Sequence, residues 1–95
     1  MYKAIEEIKA ANLALGQHWF SKDTMRYFGT RIHGKVYGGK YFVTSDFDFN
    51  HMRFYSVRAC VEGKIETIGV YQAYTTLERA IKAVKEVANE ESHES

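Results

Sequence analysis

The feature that most constrains this chain is a hydrophobic period that changes twice. Residues 2–16 place apolar side chains three or four apart, residues 30–74 largely alternate them, and residues 75–90 return to the wider spacing. A helix face repeats every 3.6 residues and a strand face every two, so the switches mark where one kind of element gives way to the other. The pattern predicts an α+β fold in the order α-α-β-β-β-β-α. Its centre is a four-stranded antiparallel meander sheet, with an N-terminal helix, a short second helix and a C-terminal helix mainly on one face.

In "YKAIEEIKAANLALG", Ile5, Ile8, Ala11 and Leu15 form a helical stripe, and Gly16 suits the left-handed position after the last turn. "SKDTMRYFG" reads as the short helix. Ser21 is its N-cap, Asp23 lies in its first turn, Phe20 and Met25 have the spacing of a hydrophobic staple, and Gly29 ends it. Trp19, Phe20 and Phe28 are expected to pack against the sheet. In "TTLERAIKAVKEVANE", Thr75 and Glu78 have capping-box spacing, and Leu77, Ala80, Ile81, Val84, Val87 and Ala88 make one apolar stripe. Residues 1–90 are read as a single domain and the polar residues 91–95 as a frayed tail.

Between the helices, "TRIHGKVY" sets Ile32, Gly34 and Val36 against Arg31, His33, Lys35 and Tyr37. Gly38-Gly39 marks a turn, "KYFVTS" a strand and "DFDFNH" a loop. "MRFYSVRACV" and "KIETIGVYQAY" are strands joined at Glu62-Gly63. A two-residue turn there pairs Val61 with Lys64, Ala59 with Glu66, Val57 with Ile68 and Tyr55 with Val70 on one face. The other face then pairs Cys60 with Ile65, Arg58 with Thr67, Ser56 with Gly69 and Phe54 with Tyr71.

Ninety-five residues, 45% hydrophobic and 26% charged, suffice for one packed domain, since a chain of this length buries roughly 60–65% of its unfolded surface. A single cysteine, Cys60, permits no internal disulfide. The Lys/Glu-rich start does not read as a secretory signal, and a reducing, cytoplasmic setting is expected. No apolar run reaches membrane-spanning length, so no membrane partner is expected. The net charge of +1 is uneven: residues 16–58 sum to +4 and residues 59–95 to −3. This total is far from that of a protein whose affinity rests on phosphate neutralisation.

Catalytic and metal chemistry is not expected. His18, His33, His51, His93 and Cys60 lack the close spacings of a zinc site, and no cofactor is implied. Cys60 reads as a small hydrophobe, Asp46 and Asp48 as turn residues, and the glycines of "HGKVYGGK" as hairpin residues rather than a phosphate loop. An enzyme would need a pocket converging on His18, His51, Asp46 or Cys60.

What remains is a recognition surface. A bare, basic sheet face with interleaved aromatics is expected, opposite the helices. Its candidate partner-binding residues, with those of the basic middle region, are Arg26, Tyr27, Arg31, His33, Lys35, Tyr37, Arg53, Phe54, Arg58 and Tyr71. Such a face suits a protein partner first and nucleic acid second, and an open sheet edge offers a route to a homodimer.

The stretches "AANLALGQHWFSKDTMRYFGTRI", "VYGGKYFVTSD" and "IGVYQAYTTLERAIKAV" resemble small proteins encoded by bacteriophages and other mobile elements. In that group a Gly-x-His-Trp-Phe-Ser segment precedes a Thr-Met-Arg short helix and a Tyr-Phe-Val-Thr/Ser-Ser strand. The matching positions include Gly16, His18, Trp19, Phe20, Ser21, Thr24, Met25, Arg26, Phe28, Tyr41, Phe42, Val43 and Ser45. No activity common to the group is carried over. The resemblance implies a non-enzymatic accessory protein in the bacterial cytoplasm. It would bind a host protein or ribonucleoprotein complex and inhibit a defence machine, as anti-CRISPR proteins inhibit CRISPR effectors.

Overall fold

The computed structural model describes residues 1–27 and 29–94, excluding the side chains of residues 91–94. Helices α1 (Ile5–Ala14) and α2 (Lys22–Tyr27) precede strands β1 (Arg31–Tyr37), β2 (Tyr41–Phe47), β3 (Arg53–Val61) and β4 (Lys64–Ile68), and helix α3 (Leu77–Glu94) closes the chain. The strands form one antiparallel sheet in the order β1-β2-β3-β4, as the alternating segments predict.

Glu62 and Gly63 take φ values of 52° and 88°, the left-handed pair that a tight hairpin with right-handed strand twist requires. The turn fixes the expected register from Val61↔Lys64 to Val57↔Ile68. Beyond Ile68 the expectation fails. Gly69 turns out of the ladder at φ 75°, Gln72 follows at φ 56°, and Tyr55 bridges to Tyr74 rather than pairing with Val70. The expected Ser56–Gly69 and Phe54–Tyr71 pairs are replaced by a loop, pinned by the Gln72 amide donating to Ser56 Oγ at 2.8 Å.

The helices sandwich the sheet instead of gathering on one face. Alternation along β2 and β3 sends Tyr41, Val43, Val57 and Ala59 toward Ala80 and Val84 of α3. It sends Phe42 and Cys60 the other way, onto Ile8 of α1, with Trp19, Phe20, Ile32 and Ile65 around them. The reason lies in β2, where six consecutive residues from Tyr41 to Asp46 are buried. Each large side chain withdrawn from water contributes about 1.5–3 kcal/mol, so Phe42 and Ile8 favour a second layer over a bare face. Cys60 is buried there as a small hydrophobe, as expected.

Asn12 locks that layer. It is 1% exposed; its Nδ2 donates to the Gly63 carbonyl at 2.8 Å, and its Oδ1 accepts from the Trp19 amide at 3.1 Å. One side chain thus ties α1 to the β3–β4 turn and to the segment entering α2. Ser21 caps α2 as expected, its Oγ accepting from the Thr24 amide at 3.2 Å. α3 is capped by Thr76, whose Oγ1 accepts from the Arg79 amide at 3.2 Å, and not by the Thr75–Glu78 box. The Tyr55–Tyr74 bridge holds the chain extended up to that point.

Trp19 and Phe20 pack in the second layer as expected, whereas Phe28 lies outside the described residues. The backbone of α3 continues through residues 91–94, which the sequence reading assigns to the tail. Among the described residues, no helix is long and apolar enough to cross a membrane.

Candidate functional site

The expected basic sheet face does not exist as one surface. Arg31 and His33 pair with Ser45 and Val43 on the α3 side, whereas Arg58 lies on the α1 side and is 9% exposed. Sandwiching the sheet divides the set, because residues on either side of the pleat now face different helices.

Arg58 belongs to an internal polar assembly. Its Nε donates to Thr44 Oγ1 at 3.0 Å, a terminal nitrogen donates to Thr67 Oγ1, and the guanidinium lies over the rings of Trp19 and Tyr71 at 5.4 and 5.1 Å. Asp46, 3.8 Å away, accepts from the Tyr71 hydroxyl at 2.7 Å and from Gln72 Nε2 at 2.8 Å. Asp46 is therefore a buried counter-charge and not a turn residue. Burial pulls Arg58 below its ordinary pKa, opposed by Asp46 and Tyr71. Burial, then the hydrogen bond to Asp46, pushes the Tyr71 hydroxyl up to about 12.

A second constellation is built around Arg53, at the start of β3 opposite Phe47. One terminal nitrogen of Arg53 donates to Ser45 Oγ at 2.7 Å and to the Gly29 carbonyl at 3.0 Å, and its guanidinium lies 4.2 Å from the Phe47 ring centre. Gly29 has φ 62°, and a Cβ there would come within 2.6 Å of the Phe47 ring, so only glycine brings that carbonyl into place. Ser45 is 1% exposed, and its Oγ is 2.6 Å from His33 Nε2. Burial, then the charges of Arg53 and Arg31, hold His33 below its usual pKa. Ser45 Oγ thus accepts from Arg53 and shares a second hydrogen bond with the His33 ring nitrogen.

Lys22 and Arg26, one turn apart on α2, line an open cleft with Arg31, Arg53 and Phe47. No carboxylate lines it, and none of the four cations forms an ion pair among the described residues. Phe47 also lines an adjoining, mainly apolar cleft with Asp48, Phe49, Tyr71 and Gln72. Phe49 is fully exposed, and Met52 and Val70 are also exposed. Asp48 holds the loop tip as a turn residue, Oδ1 accepting from the amides of Asn50 and Met52, each at 2.9 Å.

Ser45 and His33 have the spacing of a nucleophile and its base, but the serine is sealed from solvent. The cavity beside Trp19, Asp46 and Arg58 has a volume of about 160 Å³ and the apolar cleft about 210 Å³, both below the roughly 300 Å³ where small-molecule pockets begin, whereas the basic cleft, at about 430 Å³, is larger but wide open. The two clefts suit contact with an extended surface.

Of the residues singled out in the sequence, Arg26, Arg31 and Arg53 share the basic cleft and Tyr71 the adjoining one. Tyr27 is exposed on α2, and Lys35 lies 5.6 Å over the ring of Tyr37, which packs beside α3. Phe54 is half-buried opposite Asp46, and His33 and Arg58 serve internal contacts. Lys22, Phe47, Phe49 and Met52 escaped the sequence reading. The Lys22–Arg26 spacing of four was a visible signal.

Residues 4–85 match a protein-family profile described as a family of unknown function, DUF7447. The chain belongs to DUF7447. The match runs from the residue before α1 into α3, so every described residue lining the two clefts of this DUF7447 protein lies inside it. No curated protein and no solved structure matches the chain.

Proposed function

We propose that this DUF7447 protein acts by stoichiometric binding to a large macromolecular partner, without turning over a substrate. The observation that carries the reading is the pair of clefts joined at Phe47, one lined by four cations and the other flanked by exposed Phe49 and Tyr71. Exposed aromatics beside arginine anchor interfaces, and cations without a carboxylate partner steer a partner of opposite charge. The binding end is thus the β2–β3 loop and its surroundings rather than a sheet face.

The resemblance to mobile-element proteins extends the proposal to the partner. It is a bacterial host protein or ribonucleoprotein complex, bound in the cytoplasm, and the consequence is inhibition of a defence machine such as a CRISPR effector. No cofactor takes part. Expression in cells carrying an active effector, combined with affinity capture, tests this. Wild type should recover a stoichiometric complex and relieve interference, and Arg31→Glu with Phe49→Ser should lose at least tenfold of both. Normal immunity and no captured complex would overturn the proposal.

A further inference from the structure

Lys22, Arg26, Arg31 and Arg53 face one open cleft with no described carboxylate among its lining. Asp23 on α2 is not a lining residue, and Asp48 has Oδ1 committed to two backbone amides. Arg53 is the fixed member. One terminal nitrogen is spent on Ser45 and Gly29, while its Nε and other terminal nitrogen meet no acceptor among the described residues. A guanidinium held in this way presents a planar fork suited to phosphate oxygens.

The aromatic side of the site is equally specific. Arg53 already lies over the Phe47 ring, whereas Phe49, next along the loop, is fully exposed and meets no other ring among the described residues. We propose that the basic cleft receives the phosphate backbone of a single nucleic-acid strand and that Phe49 stacks on one of its bases. This rests on the binding reading above and names its ligand class. Nucleic-acid interfaces are strongly positive, and a lining of four cations with no described carboxylate fits one. A duplex keeps its base faces stacked on one another, so a single exposed ring finds its partner in an unpaired base.

Four phosphates neutralised on a single strand give a log–log salt slope of about −2.8, equivalent to an affinity loss of about fiftyfold between 50 and 200 mM salt. Fluorescence anisotropy of the full chain with labelled oligothymidylate and oligouridylate of about twelve residues reads this directly. Lys22→Ala and Arg31→Ala, both at exposed positions, should each flatten the slope by about 0.7. Phe49→Ala should weaken binding about fivefold or more at unchanged slope. Lys82→Ala and Lys85→Ala, exposed on α3, should change neither.

Absence of binding at low salt, or equal losses from the α3 controls, would overturn the proposal. So would inorganic polyphosphate competing fully while Phe49→Ala binds strands like wild type, which would mark an anion seat without base recognition. A protein that ignores every oligonucleotide yet forms a Phe49-dependent complex with a host protein would overturn the strand assignment and leave stoichiometric binding standing. Loss of both would remove both.

Discussion

Ser45 Oγ accepts a hydrogen bond from Arg53 at 2.7 Å, so a hydroxyl that is 1% exposed sets the direction of a guanidinium at the cleft. Ser45→Ala leaves that nitrogen of Arg53 with the Gly29 carbonyl alone and removes the hydroxyl partner of His33. The expected cost is about 1–2 kcal/mol of stability, measured by denaturant titration. Strand affinity should fall a few-fold at unchanged salt slope, because the charge stays while its orientation loosens.

His33 gives the fold a pH dependence whose sign follows from its environment. Burial first, then Arg53 and Arg31, hold its folded pKa below the unfolded value, so the unfolded chain takes up the proton at higher pH. The stability His33 contributes is complete above about pH 6.5 and is lost as pH falls through the folded value. Melting temperature should therefore drop between neutral and mildly acid pH, and His33→Gln should shrink that drop. Superimposable pH profiles for the two proteins would contradict this.

Asn12 supplies both a donor to the Gly63 carbonyl and an acceptor for the Trp19 amide. Asn12→Ala leaves the buried Gly63 carbonyl and the part-buried Trp19 amide without this partner and should cost about 2–4 kcal/mol. Asn12→Asp should cost more, because it sets a carboxylate oxygen against the Gly63 carbonyl. The denaturation midpoints should fall in the order wild type, alanine, aspartate.

Arg58→Ala strips the buried Asp46 carboxylate of its counter-charge and should destabilise by about 3–5 kcal/mol. Adding Asp46→Asn should recover part of the loss, since the amide carries no charge and still accepts from Tyr71. Thermal melts of the two single variants and the double variant give the coupling. Strict additivity would mean that the pair does not act as one unit.

Much of this architecture is legible in the residues, for physical reasons that also mark where legibility ends. The Glu62-Gly63 turn fixes register because a two-residue hairpin admits few geometries, and it sets five consecutive pairs. The Ile5–Ile8 stripe says that α1 has an apolar face but not which side of the sheet it covers. The clue was the "YFV" run of β2, apolar on both sides of the pleat. Arg58 reads as a surface cation beside Ser56 and Thr67, and its burial depends on Trp19 and Tyr71, brought to it from distant segments. The basic cleft likewise joins α2, β1 and β3, so Lys22 and Arg53 become neighbours only once the chain has folded.

The central claim is that recognition occurs at the β2–β3 loop end, where four cations meet exposed aromatics. The most direct measurement is an NMR titration of the labelled protein with an unpaired oligonucleotide. Shifts should concentrate on Arg26, Gly29, Arg31, Phe49 and Arg53, with α3 and β4 unmoved. Shifts confined to α3 or the β4 edge, with the cleft silent, would contradict the account.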